Sequence, residues 1–78
     1  MKDLKELRLD IDEIDQQIAS LYEKRMQIVK EVASYKLAHN LDVFDASREH
    51  EVIKRNVLLI QYEDLRPLYG NLVEELLK

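Results

Sequence analysis

The sequence predicts an all-α chain of three helices, the first very long, that pairs with a second copy of itself. Three observations predict it. Leu4, Leu7, Ile11, Ile14, Ile18, Leu21, Arg25, Ile28, Val32 and Tyr35 follow one another at alternating steps of three and four, the signature of one helical seam, apolar except at Arg25. A single Gly and a single Pro occur in 78 residues, too few for linkers or for a sheet with tight hairpins. Hydrophobic residues make up 46% and charged residues 36%, which fits a helical protein whose apolar side chains are gathered into stripes.

The first helix is expected over about residues 3–37, a rod of about 50 Å at 1.5 Å per residue. The short remainder of the chain cannot cover such a seam. A second rod can, which predicts an intertwined or side-by-side homodimer. Residues 39–44 break the pattern and are expected to form a loop. Asp45 then caps a second helix, with Glu49 near its positive end. The apolar set of that helix, Val52, Ile53, Val57, Leu58 and Ile60, is broad enough to be covered on more than one side, and the helix should stop around residues 61–63. Asp64 is the next N-cap candidate, and Pro67 falls in a first turn, where its missing N–H is not needed. Leu65, Leu68, Tyr69, Leu72, Val73, Leu76 and Leu77 carry a third helix to the end of the chain, weakened locally by Gly70. At this length the chain is one domain, residues 1–78, standing alone or as the N-terminal part of a longer or fused protein.

Composition excludes several classes. The net charge of −4 sets a repulsive field against a phosphate backbone and argues against nucleic acid as a partner. No apolar run has the length of a membrane span, and Met1 to Glu6 have no signal-peptide core. With no cysteine there are no disulfides or thiolate metal sites, so the expected setting is cytoplasmic. His39 and His50 share no face, which leaves no metal site. The four tyrosines lie at helical spacings and are expected to wall the core.

Arg25 is the anomaly in the seam. Burying an unpaired guanidinium costs several kcal/mol, and apolar replacements of such ions are often neutral or stabilising, so stability does not explain it. An arginine at a seam is most often a device for register or solubility, but Arg25 has company. Lys36 lies eleven residues on, about 20° further round the helix and about 16 Å along it. The gap between them, floored by Val29, Val32 and Ala33, suits a compact dicarboxylate. Arg8 lies seventeen residues before Arg25, about 25 Å away along the axis. It cannot share a site with Arg25 on the same rod, whereas in an antiparallel pair it approaches the partner's. Arg48, in the first turn of the second helix, opposes the helix dipole at a cost of about 0.3–1 kcal/mol, which hints at a task beyond helix formation.

The run Leu7-Arg8, Ile11, Ile14-Asp15, Leu21, Arg25, Val32, Lys36, Val43, Asp45 and Arg48-Glu49 closely resembles the all-helical class of chorismate mutases over about residues 4–55. That resemblance implies an intertwined dimer of three-helix chains that rearranges chorismate, a dianion, to prephenate on the way to phenylalanine and tyrosine. It implies that Arg25 and the partner's Arg8 hold the two carboxylates, and that Lys36 bonds the breaking ether oxygen and one carboxylate. Arg48 would help to bind the substrate and order the site, Glu49 and the backbone near Asp45 would receive the ring hydroxyl, and Val32 would lie against the ring. A Claisen rearrangement requires no nucleophile, metal, cofactor or obligatory proton transfer. Positioning and stabilisation of charge on the ether oxygen suffice, and fixed cations supply both.

The chain departs from the family's pattern in its third helix, which normally ends with a Ser and, four residues later, a Gln or Glu that bonds the ether oxygen. Matching Tyr69 to the family's usual Phe puts Leu76 at the Ser position and the Gln position beyond Lys78. Loss of one such donor typically costs a factor of about 10²–10³ in rate. Asp42 also stands where a proline is common. Two rivals follow: an isochorismate-pyruvate lyase with the same fold and cation set, and a weakly active or non-catalytic helical dimerisation or regulatory module. The Asp45 and Arg48-Glu49 group favours the mutase.

Overall fold

The computed structural model describes residues 1–77. Over them the chain forms helices α1 (Leu4–Ala38) and α2 (Ala46–Val57), a 3₁₀ turn (Glu63–Leu65) and helix α3 (Arg66–Leu77). These elements fall into two compact units, one ending at Val43 and the other beginning at Phe44.

The first unit is α1 and the turn that closes it. Asp3 caps the start, its Oδ1 accepting from the Glu6 N–H at 2.8 Å, and Glu6 places a negative charge at the positive end of the dipole. Lys2 pairs with Asp10 at 2.6 Å, tying the residue before the cap to the second turn. The helix then runs 35 residues, within a residue of the expected bounds at each end. No residue of α1 is buried. Its nine apolar seam residues are 47% to 63% exposed, and its ends are closed by the Asp3 cap and the His39 backbone.

The end of α1 is a Schellman turn. Asn40 lies in the left-handed region at φ 57°. The Leu41 N–H reaches back to the Lys36 carbonyl at 2.8 Å and the Asn40 N–H to that of Leu37 at 3.4 Å, which satisfies carbonyls that a helix end otherwise leaves open.

In the second unit α2 packs against α3. Asp45 caps α2 as expected, accepting from the Arg48 N–H at 3.1 Å. The faces that meet carry Val52, Ile53, Asn56 and Val57 on α2 and Tyr69, Gly70, Val73, Leu76 and Leu77 on α3, all wholly or partly covered. Val73, 2% exposed, is the centre of this core. Gly70 lets the helices approach closely, since a Cβ built there would stand 3.2 Å from Val57 Cγ2. A second stripe of α3, Leu65, Leu68 and Leu72, stays open to solvent.

Two expectations for this unit are corrected. The second helix ends at Val57 rather than around residues 61–63, because Leu59 and Ile60 turn their N–H groups to carbonyls three residues back, at 3.0 and 3.2 Å. Arg66 Nε then donates to the Ile60 carbonyl at 2.8 Å, satisfying an acceptor that a longer helix would have used internally. Asp64 does not cap α3 but lies inside the 3₁₀ turn, whose flanking Tyr62 makes no side-chain cap. Pro67 does fall in the first turn of α3. Among the described residues no helix is long and apolar enough to cross a membrane.

Candidate active site

The cations singled out in the sequence divide between the two units. Arg8, Arg25, Val32 and Lys36 lie on α1, and Asp45, Arg48 and Glu49 at the start of α2. Within the first unit, Val32 and Lys36 come together in an open groove of about 350 Å³ that Ile28, Glu31, Tyr35 and Leu41 also line. Four of these six residues are apolar. The two charged ones, Glu31 and Lys36, bring opposite signs to a mainly greasy floor.

The turn at the end of α1 builds this groove. Lys36 stands two positions before the last helical residue, Ala38, and its carbonyl takes the Leu41 N–H. That bond folds the chain back so that Leu41 joins the wall. The Lys36 ammonium reaches forward to the Val43 carbonyl at 3.3 Å, so it is tethered beside the groove. Tyr35 stacks on His39 with ring centroids 4.2 Å apart and planes tilted by 37°, which fixes another wall side chain. Arg25 and Arg8 make no hydrogen bond or ion pair among the described residues, and both guanidiniums remain available to an anion.

In the second unit the first turn of α2 gathers three of the expected residues. The Asp45 carboxylate caps the Arg48 N–H, and its carbonyl accepts from the Glu49 N–H at 3.0 Å. Asp45 is thereby committed to holding the helix start. The Arg48 guanidinium pairs with Glu51 at 3.2 Å, and Glu51 also pairs with Arg55. An arginine that opposes the dipole is thus anchored by a carboxylate one turn on. The Glu49 carboxylate, partly covered, has no hydrogen-bond partner among the described residues and can still accept from a hydroxyl.

Of the expected floor only Val32 lines the groove, not Val29 or Ala33. Reasoning from the sequence alone missed Ile28, Glu31, Tyr35 and Leu41 as groove walls, Glu51 as the partner of Arg48, and Asn40 as the pivot of the turn. The i, i+3 spacing of Arg48 and Glu51 was a usable signal. So was an asparagine just past a helix end.

Comparison with known proteins identifies the family of the chain. Residues 7–78 match the family model described as Chorismate mutase type II. The chain is 36% identical over 55 residues to the "Bifunctional chorismate mutase/prephenate dehydratase" of Aquifex aeolicus (strain VF5), covering 70% of this chain and 15% of that protein. It is 28% identical over 78 residues to the "T-protein" of Haemophilus influenzae (strain ATCC 51907 / DSM 11121 / KW20 / Rd), covering 100% of this chain and 20% of that protein. The chain thus spans a fifth or less of the length of these curated relatives. No solved structure gives a significant match. The model match runs from the second turn of α1 to the last residue, over most of the chain: the chain belongs to the chorismate mutase type II family.

Proposed function

We propose that this chain is a chorismate mutase domain, residues 1–78, acting as an intertwined homodimer in the cytoplasm and converting chorismate to prephenate for aromatic amino-acid biosynthesis. The observation that carries the proposal is the family match over residues 7–78, taken with an ammonium tethered beside an apolar groove on α1. The fully open seam of α1 supports the dimer. Fully burying one such aliphatic side chain contributes about 1.5–3 kcal/mol, and a second α1 offers a surface of the same length and pattern.

In this reading the protein works by positioning and by charge. Arg25 and the partner subunit's Arg8 take the two carboxylates, and hold the enolpyruvyl arm over the ring. Val32 lies against the ring, Glu49 accepts from its hydroxyl, and Arg48 helps to bind the substrate and order the site. Negative charge grows on the ether oxygen as its bond to the ring breaks, and the Lys36 ammonium is the donor placed to meet it. Electrons move within the substrate alone, and no proton is transferred.

Following the loss of chorismate absorbance with purified protein, and identifying the product, tests this. Prephenate is the expected product. Pyruvate and salicylate formed from isochorismate would assign the lyase instead. Tight binding without turnover would assign a non-catalytic module.

A further inference from the structure

We propose that Asn40 is a positioning residue for Lys36, through the left-handed turn that only a few residue types allow. The proposal rests on the reading of Lys36 as the donor to the ether oxygen, and it adds what holds that donor. Three observations converge. Asn40 is the one non-glycine residue with positive φ among the described residues, at 57°. Reversal at that point lets the Leu41 N–H close on the backbone of Lys36 itself at 2.8 Å. The chain thus turned back sets the Val43 carbonyl 3.3 Å from the Lys36 Nζ. One residue's backbone conformation therefore fixes Lys36 at both ends, its carbonyl through Leu41 and its ammonium through Val43.

The count of donors gives this tether a chemical meaning. A lysine ammonium has three N–H donors on a flexible four-carbon stem. Giving one of them to the Val43 carbonyl fixes the direction of the other two. Two is the number required by an ether oxygen and one carboxylate. Without the tether the same ammonium samples many rotamers, and the part of the barrier lowered by a preplaced donor is lost. The turn also sets Leu41 in the wall of the groove, so the same conformation shapes the apolar floor. Asparagine tolerates the left-handed region better than any other residue that has a Cβ, and glycine adopts it freely. The function of Asn40 therefore requires its backbone angle and not its amide.

The test compares Asn40→Gly, Asn40→Ala and Asn40→Val in the full chain, with helix content checked by circular dichroism. NMR reports side-chain order at Lys36 Cε and amide exchange at Leu41, and steady-state kinetics on chorismate gives kcat and KM separately. Asn40→Gly is expected to keep Lys36 as ordered as in the unchanged protein. Asn40→Ala and Asn40→Val are expected to lower that order to the level of the exposed Lys30, to speed exchange at Leu41, and to lower kcat about tenfold with a smaller change in KM. Should Asn40→Val unfold the chain, Asn40→Ala decides. Lys36 staying equally ordered in Asn40→Ala overturns the proposal, as does Asn40→Gly losing order as Asn40→Ala does. If Lys36 loses order as expected and kcat holds, the positioning stands and the assignment of Lys36 to the ether oxygen fails.

Discussion

Arg25 sits in the apolar seam of α1 at a place where leucine would serve a helix pair better. Replacing it with leucine removes a charge that must be desolvated in any assembly covering the seam, so stability should stay level or rise. The same change should lower kcat/KM on chorismate by at least about 100-fold, since a carboxylate loses a bidentate cation. Thermal unfolding and steady-state kinetics on the Arg25→Leu variant measure the two effects together. A variant both less stable and fully active would make Arg25 a structural residue. Glu51 shows a subtler use of charge. By pairing with both Arg48 and Arg55 it holds Arg48 in a first turn that would otherwise repel it. Surface pairs of this kind are worth only about 0.3–0.5 kcal/mol each, so the gain lies in geometry more than in stability.

Among the elements, the close approach of α2 and α3 at Gly70 makes a sharp prediction. Glycine inside a helix costs about 1 kcal/mol relative to alanine, but a Cβ at position 70 stands 3.2 Å from Val57 Cγ2. Gly70→Ala alone should therefore gain little or lose stability. In a Val57→Ala background, with the opposing methyl gone, the same substitution should stabilise by about 1 kcal/mol. Denaturant unfolding of the four proteins in this cycle reads the coupling directly. The elements also show what was legible in the chain. The extent of α1, 35 residues, followed from a repeat held from Leu4 to Tyr35, because a long periodic signal outweighs any single residue. The Asp45 cap followed from its chemistry. The end of α2 did not, because Leu58 and Ile60 prolong the apolar pattern while the backbone has already tightened into i→i−3 turns. Nor could Asp64 be told from a true cap, since a 3₁₀ turn and an α-helix begin with the same residue types. The cations of the proposed site were legible as residues. Their supports, Glu51 and the Asn40 turn, were not, because a support is defined by what it touches.

For the whole molecule, the central prediction concerns which subunit supplies Arg8. Arg8→Ala and Arg25→Ala proteins are each expected to be inactive alone. If each site takes Arg25 from one chain and Arg8 from the other, an equal mixture after subunit exchange forms heterodimers in half of the molecules. Each heterodimer has one intact site and one doubly damaged one. Activity should then return to about a quarter of the unchanged protein's. No recovery, with exchange verified by mass spectrometry, would mean that each site draws both arginines from one chain. Sedimentation of the unchanged protein should show a dimer, because the nine apolar seam residues of α1 are 47% to 63% exposed and a second copy offers a matching surface.

If two copies pair through the exposed seam of α1, as proposed, dilution becomes a hazard for the molecule. A solitary helix is marginal in water even when its sequence favours it, and in that case a lone copy would fray along much of α1. Scarce copies would then be nicked by proteases before they met, whereas abundant copies would shelter one another. The half-life of the protein in a cell should accordingly lengthen as its own abundance rises.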